Sequence, residues 1–285
     1  MAPNRNAKIS LATFILGSSS ILLKYLFYFS LGFQHVSLSL WFLILAAFGV
    51  LYFVALFAIL TDRGDFEVGI RSAGLGLAFG LGYAITYSNS WMYFGYYFMA
   101  LSFFHFSEYF STAVTNPRSL TIASFLLDHS REYTLAAVAS WIEYSVELFL
   151  FPGLKQFHMI SIAGLMLVIF GEVLRKGSMF TAKTNFNHYV QYIKQPGHEL
   201  VTSGLYSLCR HPAYVGWFYW SIGTQLVLCN PVCLVGYTIV SWRFFNERIQ
   251  EEEVYLLNFF TEDYVEYKKH VGTGLPFIKG YQGNF

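Results

Sequence analysis

Charged side chains are scarce in this sequence: 35 of 285 residues, 18 basic and 17 acidic. A soluble domain carries about 25% charged residues, so a soluble chain of this length would have roughly 70. That deficit excludes a water-soluble globule, and also the disordered and collagen-like classes. Cysteine is nearly missing. The three present, Cys209, Cys229 and Cys233, cannot all pair, and two stand close together in an apolar run. That pattern is neither a disulfide framework nor a good zinc site. A net charge of +1 gives no basic face for nucleic acid. What is abundant is apolar surface: 55% hydrophobic residues, 20% aromatic ones and a mean hydropathy of +0.45. At about 20 apolar residues per membrane-crossing helix, the chain can supply roughly six to eight crossings. The composition is that of an all-α, polytopic integral membrane protein.

Long apolar runs fall at about 11–31, 37–60, 70–88, 91–113, 133–151 and 157–174, followed by a short pair within 212–243. The first run follows Arg5 and Lys8 as a signal peptide would, but it is long, contains Lys24 and lacks an A-x-A site. It reads as a retained span. The last pair is too short for two full crossings, and Asn230-Pro231 breaks it. It reads as a tight hairpin of two short helices, which brings the expected number of membrane segments to eight. With the N-terminus cytosolic, the even-numbered loops hold Arg63, Arg71, Arg118, Arg131, Arg175, Lys176, Lys183 and Lys194. The C-terminal tail holds Arg248, Lys268, Lys269 and Lys279, and the opposite loops hold only Lys155. By the positive-inside rule both termini are expected in the cytosol.

Gly74, Gly76, Gly80 and Gly82 in GLGLAFGLG imitate a nucleotide loop. They lie within an apolar helix, however, where a small-xxx-small face serves close packing. No internal repeat is evident, and no Rossmann domain fits in the polar remainder. That remainder is concentrated after residue 174, which suggests a division into N-terminal scaffold spans (1–174) and a polar, site-bearing region (175–285).

Within the second part, Pro196-Gly197 and Ser203-Gly204 mark Gln191 to Tyr206 as loop at the membrane–cytosol interface. His188, His198 and His211 are spaced 10 and 13 apart, which does not suit a metal. They can bond locally or, with the backbone amides of 198–201, surround a polar ligand. Arg248 and Glu252 are four apart on one helix face. An Arg there can grip a carboxylate bidentately, and a Glu can hold a cation or ribose hydroxyls; the bland reading is a solvated amphipathic helix. Tyr206, Tyr214, Trp217, Tyr219 and Trp220 form either an interfacial aromatic belt or a box for a sulfonium cation. Glu143 and Glu147 share one helix face, His105 and Glu108 another, and a proton relay or pairing with neighbouring elements both fit. Glu172 and Arg175 near the end of the sixth run have no evident role.

The segments LVTSGLYSLCRHPAYVGWFYW, Asn230-Pro231, RFFNERIQEEEVYL and GLPFIKG resemble the isoprenylcysteine carboxyl methyltransferase family over roughly 175–281, and the upstream spans agree in number and spacing. The R-H-P-x-Y-x-G segment with its acidic pair is shared with membrane phospholipid N-methyltransferases and sterol reductases. NFNHYVQ, HELVTSG, GWFYW and GLPFIKG favour the first family. The resemblance implies methyl transfer from S-adenosylmethionine to the C-terminal carboxylate of a farnesyl- or geranylgeranyl-cysteine. The expected substrates are CaaX-processed proteins such as small GTPases and lamins, and the expected location is the endoplasmic reticulum membrane with the active site cytosolic. Carried over, the cofactor contacts are Gln191, His198, Glu199, Leu200, Val201, Tyr206, His211, Pro212, Ala213, Tyr214 and Glu252, with Arg248 on the substrate carboxylate, and no metal is implied.

The chemistry agrees. A carboxylate of pKa about 3.5 is already ionised at neutral pH and needs no general base, and a sulfonium is already activated. What remains is alignment, which lowers a barrier by roughly 7–11 kcal/mol, and exclusion of water by a lid of loop 191–206. The competing readings are a phospholipid N-methyltransferase, an NADPH-dependent sterol reductase, or a transporter with a midplane site at broken helices. A single break at Asn230-Pro231, unmatched in the first half, disfavours the last.

Overall fold

The computed structural model describes residues 4–23, 26, 38–128 and 130–283. Its architecture is all-α, with no strand among the described residues. The helices are α1 (Arg5–Ser18), α2 (Leu38–Ile59), α3 (Arg63–Ile85), α4 (Met92–Thr115), α5 (Arg131–Leu150), α6 (His158–Ala182), α7 (Pro212–Leu228) and α8 (Pro231–His270), with short 3₁₀ turns between some of them. Two described helical stretches, Arg63–Ile85 and His158–Asn185, are both long and apolar enough to cross a membrane. The chain divides into two compact units, Met1–Val114 with Thr121–His129, and Thr115–Leu120 with Ser130–Phe285. Much of the first apolar run, Lys24 and the loop expected at 32–36 lie outside the described residues.

In the first unit α1 and α3 start on side-chain caps. Asn4 accepts the Ala7 amide at 2.8 Å and Asp62 the Asp65 amide at 3.0 Å, which satisfies amides that have no partner within the helix. The glycine face predicted for α3 is its contact with α1. A Cβ on Gly76 would meet the Phe14 carbonyl and the Ser18 amide, and one on Gly80 the Ser20 hydroxyl. Gly82 plays the same part toward Gly95 of α4, whereas Gly74 faces open space. Ser72 donates to Ser10 at 2.9 Å across the α1–α3 contact, and Arg5 pairs with Asp65. His105 bonds the Phe125 carbonyl at 2.8 Å, and Glu108 on the same face is fully buried.

The second unit rests on α6 against α7. A Cβ on Gly171 would lie 2.5 Å from the Gly216 carbonyl and 2.6 Å from the Trp220 amide. Gly223 meets the Val168 amide at 2.8 Å in the same way, so the two backbones touch along their length. α6 continues beyond its apolar stretch to Ala182. Arg175 and Lys176, expected in a loop, are therefore helical, and Arg175 is buried with its guanidinium 4.5 Å from the Trp217 ring.

The turn between α7 and α8 falls where Asn230-Pro231 placed it. Cys229 takes a left-handed conformation (φ 49°) and Pro231 opens α8, where its missing N–H costs nothing. The second arm is not a short helix followed by a separate amphipathic one. α8 continues without a break from Pro231 through Phe260, since no proline or glycine lies within 237–271 and helical propensity persists where the charge changes at Arg243. A second helical segment runs from the kink at Thr261 to His270. Thr261 alone leaves helical geometry (φ 46°, ψ −118°). Beside that kink Lys194 donates to the Phe259 carbonyl at 2.8 Å.

Lys155, the one basic residue expected on the opposite side, is buried. Its ammonium reaches Glu147 at 2.6 Å, the Leu228 and Cys229 carbonyls at 2.9 and 3.0 Å, and the Asn230 side chain at 3.0 Å. It thereby neutralises the exposed carbonyls at the C-terminus of α7. Glu143, one turn before Glu147, accepts the amides of Val232 and Cys233 at 2.7 Å each, at the N-terminus of α8. Both glutamates thus pair with neighbouring elements at the hairpin turn. Lys155→Met strands Glu147 and is expected to cost about 3–5 kcal/mol. The melting temperature in detergent should fall sharply for Lys155→Met and recover in large part in the Lys155→Met/Glu147→Leu double variant, since the double variant leaves no unpaired charge.

Candidate functional site

The loop from Phe186 to Ser203, the end of α6, the start of α7 and the distal half of α8 enclose an open cavity of about 850 Å³, its solvent-filled mouth included. Its wall contains Gln191, His198, Glu199, Leu200, Val201, Tyr206, His211, Ala213, Tyr214 and Glu252, so residues spread over 62 positions of sequence converge on one space. Pro212, the first residue of α7, stands outside the lining, as does Arg248. Arg248 is held beside it, donating to the Tyr214 hydroxyl at 3.3 Å and to the His188 carbonyl at 2.8 Å. His188 thus contributes its backbone carbonyl to Arg248, while its ring stands edge-on against Phe186 of the cavity wall at 5.5 Å. Of the five aromatics, Tyr206 and Tyr214 face the cavity, while Trp217 covers Arg175 and Trp220 packs at the α6–α7 contact. The aromatic wall is completed by Phe186, Tyr189, Tyr255, Phe259, Phe260, Tyr264 and Tyr267.

The electrostatic centre is His211. Its Nδ1 lies 3.5 Å from Glu252 Oε2 and its Nε2 3.2 Å from Glu253 Oε1, so one buried ring is clamped between consecutive carboxylates. Burial opposes the imidazolium, but the two carboxylates outweigh it and raise the His211 pKa above its ordinary value. The charged form carries N–H donors on both nitrogens, as this geometry requires. Burial also pushes both carboxylates up, and His211 with its neighbours reverses that. Glu252 lies below the usual range, and Glu253, gripped by His211 and Arg210, is held at about 2. Glu252 Oε2 is buried and makes no hydrogen bond within normal limits. It is an acceptor directed at the cavity beside an imidazolium.

Loop positions are set from behind. Asn185 accepts the Glu199 amide at 2.9 Å, and Asn116 donates to the carbonyls of Thr184 and Phe186 at 3.2 and 3.0 Å. Tyr192 donates to Glu251 at 2.9 Å.

Besides the added aromatics of the wall, two buried charged residues escape the sequence reading. Arg210 stood within R-H-P without a role, and its guanidinium is buried against Glu253 at 2.8 Å. Glu253 sat unremarked in a run of three glutamates. Its signal was position: it falls four residues from both Ile249 and Leu257, inside the buried stripe of α8. No cluster of three or more metal-ligating side chains occurs among the described residues. Because Glu253 titrates lower folded than unfolded, its contribution to stability is complete above about pH 4.5 and is lost as pH falls toward about 2. The melting temperature of the detergent-solubilised protein should decline across that window, and Glu253→Gln should remove part of the slope.

Comparison with known proteins completes the picture. The model of the isoprenylcysteine carboxyl methyltransferase family matches residues 164–258, the stretch that builds most of the cavity. A protein-S-isoprenylcysteine O-methyltransferase of Xenopus laevis is 53% identical over 97% of this chain and 96% of its own. That of Homo sapiens is 51% identical over 98% and 95%. A solved structure described as a eukaryotic intramembrane Ras methyltransferase superposes with a TM-score of 0.91 at 42% identity, covering 98% of this chain and 99% of that one. Near-complete coverage at such identity, on a shared fold, means that this chain belongs to the isoprenylcysteine carboxyl methyltransferase family.

Proposed function

We propose that this chain is a membrane-embedded enzyme that methylates the C-terminal carboxylate of a prenylated cysteine, with S-adenosylmethionine as methyl donor. The observation that carries the donor assignment is the buried Glu252 carboxylate, whose Oε2 has only a long 3.5 Å contact to His211 and which lies in the wall of a cavity lined by aromatic rings. Such a wall suits a flat base and a sulfonium, and a carboxylate suits a cation or ribose hydroxyls. The residues that would hold the donor are Gln191, His198 to Val201, Tyr206, His211 to Tyr214, and Glu252. When bound, S-adenosylmethionine supplies a methyl carbon already activated on positively charged sulfur.

The chain's own contribution is orientation. Arg248, already braced by Tyr214 and the His188 carbonyl, presents a guanidinium fork beside the cavity for the substrate carboxylate. Tyr214 links the two sites, since its ring faces the cavity and its hydroxyl accepts from Arg248. His211 is committed to both glutamates, so it holds them charged and takes no proton from the substrate. The loop bearing Gln191 and His198 to Val201 excludes water above the site.

The lipid half of the substrate fits the outer surface. Phe149, Met159, Val173 and Val232 expose 85%, 79%, 67% and 73% of their area, as side chains bathed in lipid do. In this reading eight segments cross or enter the membrane, residues 1–174 form the scaffold that admits the prenyl chain, and residues 175–285 perform the transfer. The distribution of basic residues favours both termini and the cavity facing the cytosol, and the family resemblance supports the endoplasmic reticulum as the membrane. Small GTPases and lamins ending in a prenylcysteine are the expected protein substrates.

Turnover of N-acetyl-S-farnesylcysteine with radiolabelled S-adenosylmethionine tests this directly. Arg248→Ala should lower kcat/KM for the prenylcysteine by roughly tenfold to a hundredfold, the loss of a charge-assisted bidentate contact. Glu252→Ala should instead raise the KM of the donor. Binding of labelled NADPH in place of the donor, or unchanged constants in Arg248→Ala, would overturn the assignment.

A further inference from the structure

After α8 ends at His270 the chain turns back as a strap, residues 271–282, across the segment that begins α7. The Arg210 amide donates to the Gly272 carbonyl at 2.9 Å and the His211 amide to the Thr273 carbonyl at 3.3 Å. Gly274, at φ +96°, lets the strap pass where a Cβ would lie 2.7 Å from the Cys209 side chain. Trp242 donates from α8 to the Pro276 carbonyl at 2.8 Å. The strap then converges on Glu253, which is 0% exposed. The Tyr281 amide donates to Glu253 Oε2 at 2.9 Å. Arg210 ties the strap to the same carboxylate: it grips Oε1 at 2.8 Å and also donates to the carbonyls of Val271 and Lys279. Lys268 stands 3.6 Å from Oε2 and bonds the Tyr281 carbonyl. Gly280, at φ +79°, lies directly against that carboxylate and leaves no room for a Cβ.

Strap residues stand outside the cavity lining but brace it: Val271 and Tyr281 pack with the wall residues Phe260, Tyr264 and Tyr267, the Thr273 carbonyl accepts the His211 amide, and the polar route runs through Glu253. That carboxylate holds one nitrogen of His211, and the other nitrogen faces Glu252 at the cavity wall. We infer that the C-terminal strap is a positioning element of the methyl-donor pocket. By fixing the Glu253 carboxylate from two sides it sets the His211 ring, and the His211 ring sets Glu252. Glu253, Arg210 and Gly280 are thus positioning residues for donor binding, while Arg248 on the prenylcysteine side stands one contact further away, through Tyr214, whose ring stacks on His211 at 5.5 Å. This rests on the reading of the cavity as a donor site.

The test uses the full-length protein in detergent: wild type, Glu253→Gln and Gly280→Ala. Calorimetric Kd for S-adenosylmethionine is measured beside kcat and the KM of each substrate. The expected result is a donor Kd and donor KM raised about tenfold in both variants, with the prenylcysteine KM moved clearly less than the donor KM. A merely structural role would lower kcat through loss of folded enzyme and leave both KM values and the donor Kd unchanged, and that result would overturn the inference. Gly280→Ala, near the chain end, carries the test if Glu253→Gln does not fold. A wild type that binds no S-adenosylmethionine would overturn the reading of the cavity itself, so the two failures are distinguishable.

Discussion

A single buried imidazolium between two carboxylates organises this protein's functional half. Buried charges are tolerated when each lone pair and proton is matched. Here the matching draws in four stretches of chain: R-H at the head of α7, the consecutive glutamates of α8, the basic end of the same helix, and the strap. Each partner removes a solvation cost that the others would otherwise leave. The cavity wall inherits its geometry from that closed set of contacts, and the loop lining its mouth is tied to the same helix by Lys194 and Tyr192.

Beneath this centre, the close approach of α6 and α7 keeps the head of α7 in place. Glycines at 164, 171, 216 and 223 let the two backbones meet without intervening side chains, the means available to helices that gain little from hydrophobic association in lipid. At the opposite end the same pair is closed by Lys155, which answers α7's terminal carbonyls and one glutamate at once. The α6–α7 pair is therefore held by polar contacts beside the turn into α8, by backbone-to-backbone packing along its length, and by polar contacts again at the cavity.

Much of this was legible in the sequence, because apolar runs, Asn230-Pro231 and the glycine spacing are local signals. The residues carried over from the family motif, apart from Pro212 and Arg248, converge on one cavity wall, and Arg248 stands beside it. What escaped was non-local or disguised. The continuity of α8 was hidden because hydropathy drops at Arg243 while helix propensity persists. Glu253 was hidden among like neighbours, and only its place in the stripe of Ile249, Leu257 and Phe260 distinguishes it. The strap's bonds to Arg210 span 61 and 69 positions and run mainly through backbone carbonyls, which carry no residue signature. Lys155 read as an exception to charge asymmetry because the sequence gives no view of the helix end that it caps.

The unbroken stretch of α8 before Thr261 joins the hairpin's lipid-facing arm to Glu252 without a flexible joint. At about 1.5 Å per residue, the 30 positions from Pro231 to Phe260 form a rod roughly 45 Å long. A bilayer that thickens or thins tilts embedded helices to match. With the hairpin embedded as proposed, a tilt of this arm is carried along the rod to Arg248, Glu252 and Glu253, which makes the thickness of the surrounding membrane a variable of the proposed chemistry at the cavity.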